Sequence, residues 1–103
     1  MKSFVFIGMP GAGKSTLGVL TAKTLGMNFV DTDILIQQKE GRLLQEIIDQ
    51  EGTFGFLDIE QKYICETTFK NSVIATGGSV VYSKKAMTAL KDTGIIVYLK
   101  ISY

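Results

Sequence analysis

The chain has no histidine, a single cysteine, a single arginine and no long apolar run among its 103 residues. Without histidine or a cysteine cluster, histidine acid/base catalysis and transition-metal sites fall away, leaving carboxylates, lysines, hydroxyls and a hard metal ion as the available chemistry. Cys65 cannot form an internal disulfide, and its place in a predicted helix gives the expectation of a small buried hydrophobe. The apolar run that follows the first residues stops at Gly8, too short for a signal peptide or a membrane span, so the expected location is cytoplasmic. A formal net charge of +1 provides no field that would gather nucleic acid or an anionic membrane. With 46% hydrophobic and 20% charged residues, the composition is that of one globular domain with one modest core.

The hydrophobic pattern alternates strands with helices. Phe4 to Ile7 is a continuous apolar, β-rich run, as expected of a strand covered on both faces, and it leads into a glycine-rich loop. A helix is predicted from about Lys14 to Leu25, with Leu17, Leu20, Thr24 and Leu25 near one face and Gly26 closing it. Asn28 to Val30 reads as a second strand, stopping at Asp31-Thr32-Asp33. From Ile34 to Phe69 the pattern is helical, with breaks near Gly41 and between Gly52 and Gly55, which predicts two short helices and a longer one. Val73 to Ala75 and Ile95 to Leu99 are the third and fourth strands. Between them lies a helix carrying Ala86, Met87 and Leu90, capped by Ser83 and closed by Gly94. Strands alternating with helices imply right-handed crossovers, a parallel α/β sheet and ligands beyond the carboxyl ends of the strands. The expected spatial order is 2-3-1-4.

Three loops on that edge carry candidate chemistry. Gly8-Met9-Pro10-Gly11-Ala12-Gly13-Lys14-Ser15 matches the phosphate-loop pattern, which average glycine usage would produce in roughly one chain of this length in a few hundred. Its glycines let backbone N–H groups turn toward phosphate oxygens, and the following helix N-terminus adds partial positive charge. Lys14 would reach the β- and γ-phosphates of ATP, and the Ser15 hydroxyl would ligate Mg²⁺. The predicted nucleotide-binding residues are Gly8, Gly11, Ala12, Gly13, Lys14, Ser15 and Thr16. Asp31 and Asp33, two apart past the second strand, would share a face in extended geometry. One could hold the magnesium shell while the other accepts a proton from an attacking hydroxyl; equally, Asp33 could simply cap the helix at Ile34. Thr76-Gly77-Gly78-Ser79 is either a ligand-approaching loop or a plain strand-to-helix turn.

Gly-Ala-Gly-Lys-Ser-Thr at 11–16, Asp-Thr-Asp at 31–33, Glu-Gly at 51–52, Phe56 with Ile59-Glu60, Ala-Thr-Gly-Gly at 75–78 and Val-Tyr-Leu at 97–99 occur in the order and spacing of shikimate kinase, and the chain resembles the N-terminal part of that family. The resemblance implies a three-layer P-loop kinase fold resembling the nucleoside monophosphate kinases. It also implies ATP and Mg²⁺ as cofactors and a small hydroxylated metabolite as acceptor, shikimate first among them. It implies Asp31 and Ser15 at the metal and Asp33 as substrate ligand and base beside Lys14. Gly77, Gly78 and Glu60 would lie at the substrate, with a substrate-binding helical region over about 34–70 of a single domain, 1–103. Departures accompany it. The family arginine that follows the helix phenylalanine and grips the substrate carboxylate is here Leu57, and the third motif glycine is Ser79. Without that arginine, a surface role for Glu60 stands beside the substrate role. Family members continue past the fourth strand with a lid, a further strand and a helix that bring in more arginines. A kinase of a different acceptor and a nucleotide-binding module without catalysis are the alternative readings.

Overall fold

The computed structural model describes residues 3–8 and 14–99. In chain order these form β1 (Ser3–Gly8), α1 (Lys14–Leu25), β2 (Asn28–Asp31), α2 (Thr32–Glu40), α3 (Leu44–Glu66), β3 (Ser72–Ala75), a 3-10 turn (Gly78–Tyr82), α4 (Lys84–Thr93) and β4 (Gly94–Leu99). The four strands make one parallel sheet in the order β2-β3-β1-β4, as expected. The central strands are the buried ones: Val5, Phe6, Ile7 and all of β3 are buried, because helices cover both faces there, whereas the equally apolar β4 lies at the edge and is partly exposed.

Alternation along the strands divides the core into two layers. Val5, Ile7 and Ile74 face Ile64 of α3, Val80 of the 3-10 turn, and Ala86 and Leu90 of α4. Phe6 and Val73 face the other way, onto Ala22 of α1 and Met27. Leu17, Leu20 and Leu25 do not form the packed face of α1. They are 42%, 57% and 47% exposed, and Gly18 and Ala22 are buried instead. The Phe29 ring of β2 excludes anything larger, since a Cβ on Gly18 would stand 2.7 Å from its Cε1. Small residues four apart let the helix lie close to the sheet, and hydrophobicity alone misreads that face.

The helical stretch breaks where glycine allows a positive φ. Gly41 ends α2 at φ 67°, and Gly52, at φ 75°, kinks α3 into two helical halves, giving the predicted two short helices and a longer one. Ser83 caps α4 through its Oγ, which accepts from Ala86 N. Gly94 is extended, not a left-handed cap. It is needed for another reason: a Cβ there would lie 1.9 Å from the Ser3 carbonyl oxygen on neighbouring β1. Cys65 is exposed, contrary to expectation; buried Ile64 takes the inward position beside it. Among the described residues no helix is long and apolar enough to cross a membrane.

Candidate functional site

The carboxyl ends of β1, β2 and β3 bring the three predicted loops to one edge. Of the phosphate loop, Gly8 and the residues from Lys14 onward are described; Gly11, Ala12 and Gly13 lie outside the described residues. Gly8 is held against β4, where a Cβ would meet the Leu99 carbonyl oxygen at 2.4 Å. Lys14 opens α1 half-buried, and its Nζ donates to the Gly8 carbonyl at 2.8 Å. The ammonium is thus turned back to the carboxyl end of β1, not into open solvent. Thr16 is exposed in the same first turn.

Asp31 joins two of the loops. Its Oδ2 accepts from Ser15 Oγ at 3.0 Å, while Oδ1 accepts from the backbone N–H groups of Asp33 (2.9 Å) and Ile34 (3.3 Å). Asp31 is therefore the N-cap of α2, and Asp33 is not; with its backbone N–H already capped, Asp33 sits in the first helical turn. The two carboxylates come together across a strand-to-helix corner, not by extended-chain alternation. Ser15 and Asp31 offer two hard oxygens in contact, which suits Mg²⁺ held jointly with phosphate oxygens. Among the described residues no cluster of three or more acidic, histidine or cysteine side chains forms an all-protein metal cage.

Asp33 is half-buried and packs directly over the next loop, since a Cβ on Gly77 would lie 2.9 Å from its Oδ1. Burial, and then the charge of Asp31, raise its pKa above the usual carboxylate value, with Lys14 opposing. The glycine loop is pinned from behind: Thr76 donates to the Phe6 carbonyl through both its N–H (3.1 Å) and its Oγ1 (2.9 Å). Gly78 then begins the 3-10 turn, an element that sequence pattern did not indicate.

Glu60 is fully buried, which overturns the surface reading. Its carboxylate lies 3.1 and 3.2 Å from Ser79 Oγ. Burial pushes its pKa up to about 7; the Ser79 hydrogen bond opposes this, and the like charge of Asp33 adds to it. Sequence reasoning gave Ser79 no such part, although a hydroxyl directly after paired glycines was a usable signal. Leu57 lies one turn before Glu60 on the same face of α3 and is half-buried. Arg42 is committed elsewhere. Its guanidinium bonds Glu40, Gln50 (2.6 Å) and Glu51 (3.2 Å) at the α2–α3 corner, where Glu40 also accepts from the Tyr63 hydroxyl. Thr32 Oγ1, between the two aspartates, is buried without a hydrogen-bond partner among the described residues.

Comparison with known proteins points one way. The family described as shikimate kinase matches residues 10–103. Curated shikimate kinases of Thermodesulfovibrio yellowstonii and Paracidovorax citrulli are 44% and 42% identical over 99% and 97% of this chain, which spans 60% and 56% of their own lengths. The solved shikimate kinase from Acinetobacter baumannii in complex with shikimate superposes with a TM-score of 0.93 at 36% identity, over 99% of this chain and 57% of that one. The chain thus corresponds to somewhat more than half of each relative. With sheet order, loop positions, sequence and superposition in agreement, this chain belongs to the shikimate kinase family.

Proposed function

We propose that the protein transfers the γ-phosphoryl group of ATP to a hydroxyl of a small polyhydroxylated metabolite. The observation that carries this is the placement of Asp33, a half-buried carboxylate with raised proton affinity, packed over Gly77 and two residues along from the Asp31 that bonds Ser15. The acceptor hydroxyl oxygen attacks the γ-phosphorus and gives its proton to the Asp33 carboxylate. The bond from γ-phosphorus to the β–γ bridging oxygen breaks, and ADP leaves. Burial, and then the charge of Asp31, raise the proton affinity of Asp33, which suits a group that accepts a proton. Asp31, bonded to Ser15, lies on the cation side.

Lys14 supports nucleotide binding by turning from the Gly8 carbonyl to the phosphates, at the positive end of α1. Mg²⁺ would be held by Ser15 and Asp31, and when bound it neutralises charge on the phosphate oxygens. Glu60, Gly77 and Gly78 form the acceptor side. Shikimate, bound by the Acinetobacter baumannii relative, is the first acceptor to test, and the ATP pool a metabolite kinase draws on places it in the cytoplasm. The test is ADP release by the gene's full product over a panel of hydroxylated acceptors. Asp33→Asn should lower turnover by at least about 100-fold, the lower end of what a positioned base contributes, with ATP affinity retained. ATP binding without turnover on any acceptor would favour a nucleotide-binding module and defeat the kinase reading.

A further inference from the structure

The loop between β3 and α4 carries Gly77 and Gly78, and neither has a side chain with which to hold its place. Gly77 nevertheless stands close against Asp33, since a Cβ on it would lie 2.9 Å from Oδ1. Its neighbours along the loop must set that spacing. On one side, Thr76 is tied to the Phe6 carbonyl of β1. On the other, Val80 is buried against β1, β3, α3 and α4, but its N–H reaches the Gly77 carbonyl only at 3.4 Å, longer than an ordinary N–H···O bond. Between these two anchors Ser79 is the one residue with a side chain, and its Oγ lies 3.1 and 3.2 Å from the two oxygens of Glu60.

Glu60 is a rigid partner for such a tie. It is fully buried in the second half of α3, one turn after Phe56 of one apolar cluster and one turn before Ile64 of another. Packing alone does not account for a carboxylate there, because an apolar side chain of similar volume fills such a site with no desolvation cost. The hydrogen bond from Ser79 favours the ionised form of Glu60 against that cost, so the serine is the donor and the carboxylate the acceptor.

Resting on the kinase reading above, we propose that Ser79 is a positioning residue: by donating to Glu60 it clamps the glycine loop to α3 and fixes Gly77 beneath the Asp33 carboxylate. Asp33 must meet the acceptor hydroxyl at hydrogen-bond distance to take its proton, and a displaced Gly77 moves either that carboxylate or the molecule bound beside it. The clamp works through geometry. The charges that bear on Asp33 belong to Asp31 of β2 and Lys14 of α1, and both remain when Ser79 loses its hydroxyl.

The test uses the gene's full product with Mg²⁺, ATP and shikimate, and reads turnover beside nucleotide affinity. Ser79→Ala should lower kcat at least about 10-fold, within the ~100-fold that a misplacement of about 1 Å costs, with ATP affinity unchanged. Ser79→Thr, which keeps a hydroxyl at the same place, should restore most of the loss. Glu60→Met removes the other end of the clamp together with the buried charge, so it probes the contact independently of how well the alanine variant folds. It should show a similar loss of kcat, and the double variant should be no slower than the slower single one, because the two side chains act as a unit. Parent-like turnover in Ser79→Ala or Glu60→Met would overturn the proposal, as would additive losses in the double variant or a threonine variant as slow as the alanine one. ATP affinity falling in step with kcat would mark a general structural role and overturn it too. Absence of turnover by the parent protein on shikimate and every other hydroxylated acceptor would refute the kinase reading, and this proposal with it.

Discussion

The Asp31 carboxylate caps α2 with one oxygen and bonds Ser15 with the other, so in the proposed reading it serves both the fold and a cation site. Asparagine caps helices about as well as aspartate, so Asp31→Asn should change thermal stability little, by less than about 1 kcal/mol. It should nevertheless weaken Mg²⁺-dependent ATP binding at least ~10-fold, a loss of ~1.4 kcal/mol or more; melting curves and nucleotide titrations with and without magnesium separate the two effects. Lys14→Ala should leave the fold intact and greatly weaken ATP binding, measured by calorimetry. Glu60 gives a different signature. Its folded pKa, about 7 against an ordinary 4.5, means the native state holds a proton the unfolded chain has released between those values. Its contribution to stability is fully present below about pH 4.5 and is lost as pH rises toward 7, by up to ~3 kcal/mol. Urea denaturation from pH 4.5 to 8 should show this slope in the parent protein and not in Glu60→Gln. The nearness of Asp31 and Asp33 was legible in the sequence, but the reason was not, because a cap bond is set by where the strand ends. The Ser79–Glu60 contact joins residues nineteen apart, and no local pattern reports it.

At the scale of elements, the sequence was most legible where one glycine or one apolar run decides the outcome. Gly41 and Gly52 punctuate the helices as read, and the apolar runs of β1, β3 and β4 form strands as read. It was least legible where a neighbour from another element decides. Gly18 is small because Phe29 lies 2.7 Å from where its Cβ would be, and Gly94 because the Ser3 carbonyl oxygen lies 1.9 Å away. Neither constraint leaves a trace in helical or strand periodicity, which is why the leucines of α1 looked like its packed face. Gly18→Val should destabilise by about 1–3 kcal/mol through overpacking, whereas Leu20→Gln on the exposed face should stay within ~0.5 kcal/mol. Denaturant midpoints of the two variants measure this directly, and a larger cost at Leu20 would reverse the assignment of faces.

At the scale of the whole molecule, the buried apolar residues among those described fall into three groups, not one. Two lie on the faces of the sheet. The third, Ile36, Ile47 and Phe56, belongs to α2 and both halves of α3, with Leu44, Ile48, Ile59 and Tyr63 around it. The second half of α3 spans the divide, with Phe56 in the third group and Ile64 beneath the sheet. A cluster joined to the rest mainly through one helix can open without the sheet coming apart. Amide hydrogen exchange should therefore show a hierarchy. The N–H groups of α2 and of α3 before Gly52 should exchange through a low-energy partial opening, while those of β1 and β3 wait for global unfolding. Asp33, carried on α2, would then be loosened in that partial opening, while Glu60 beyond Gly52 and the loop after β3 stay with the sheet.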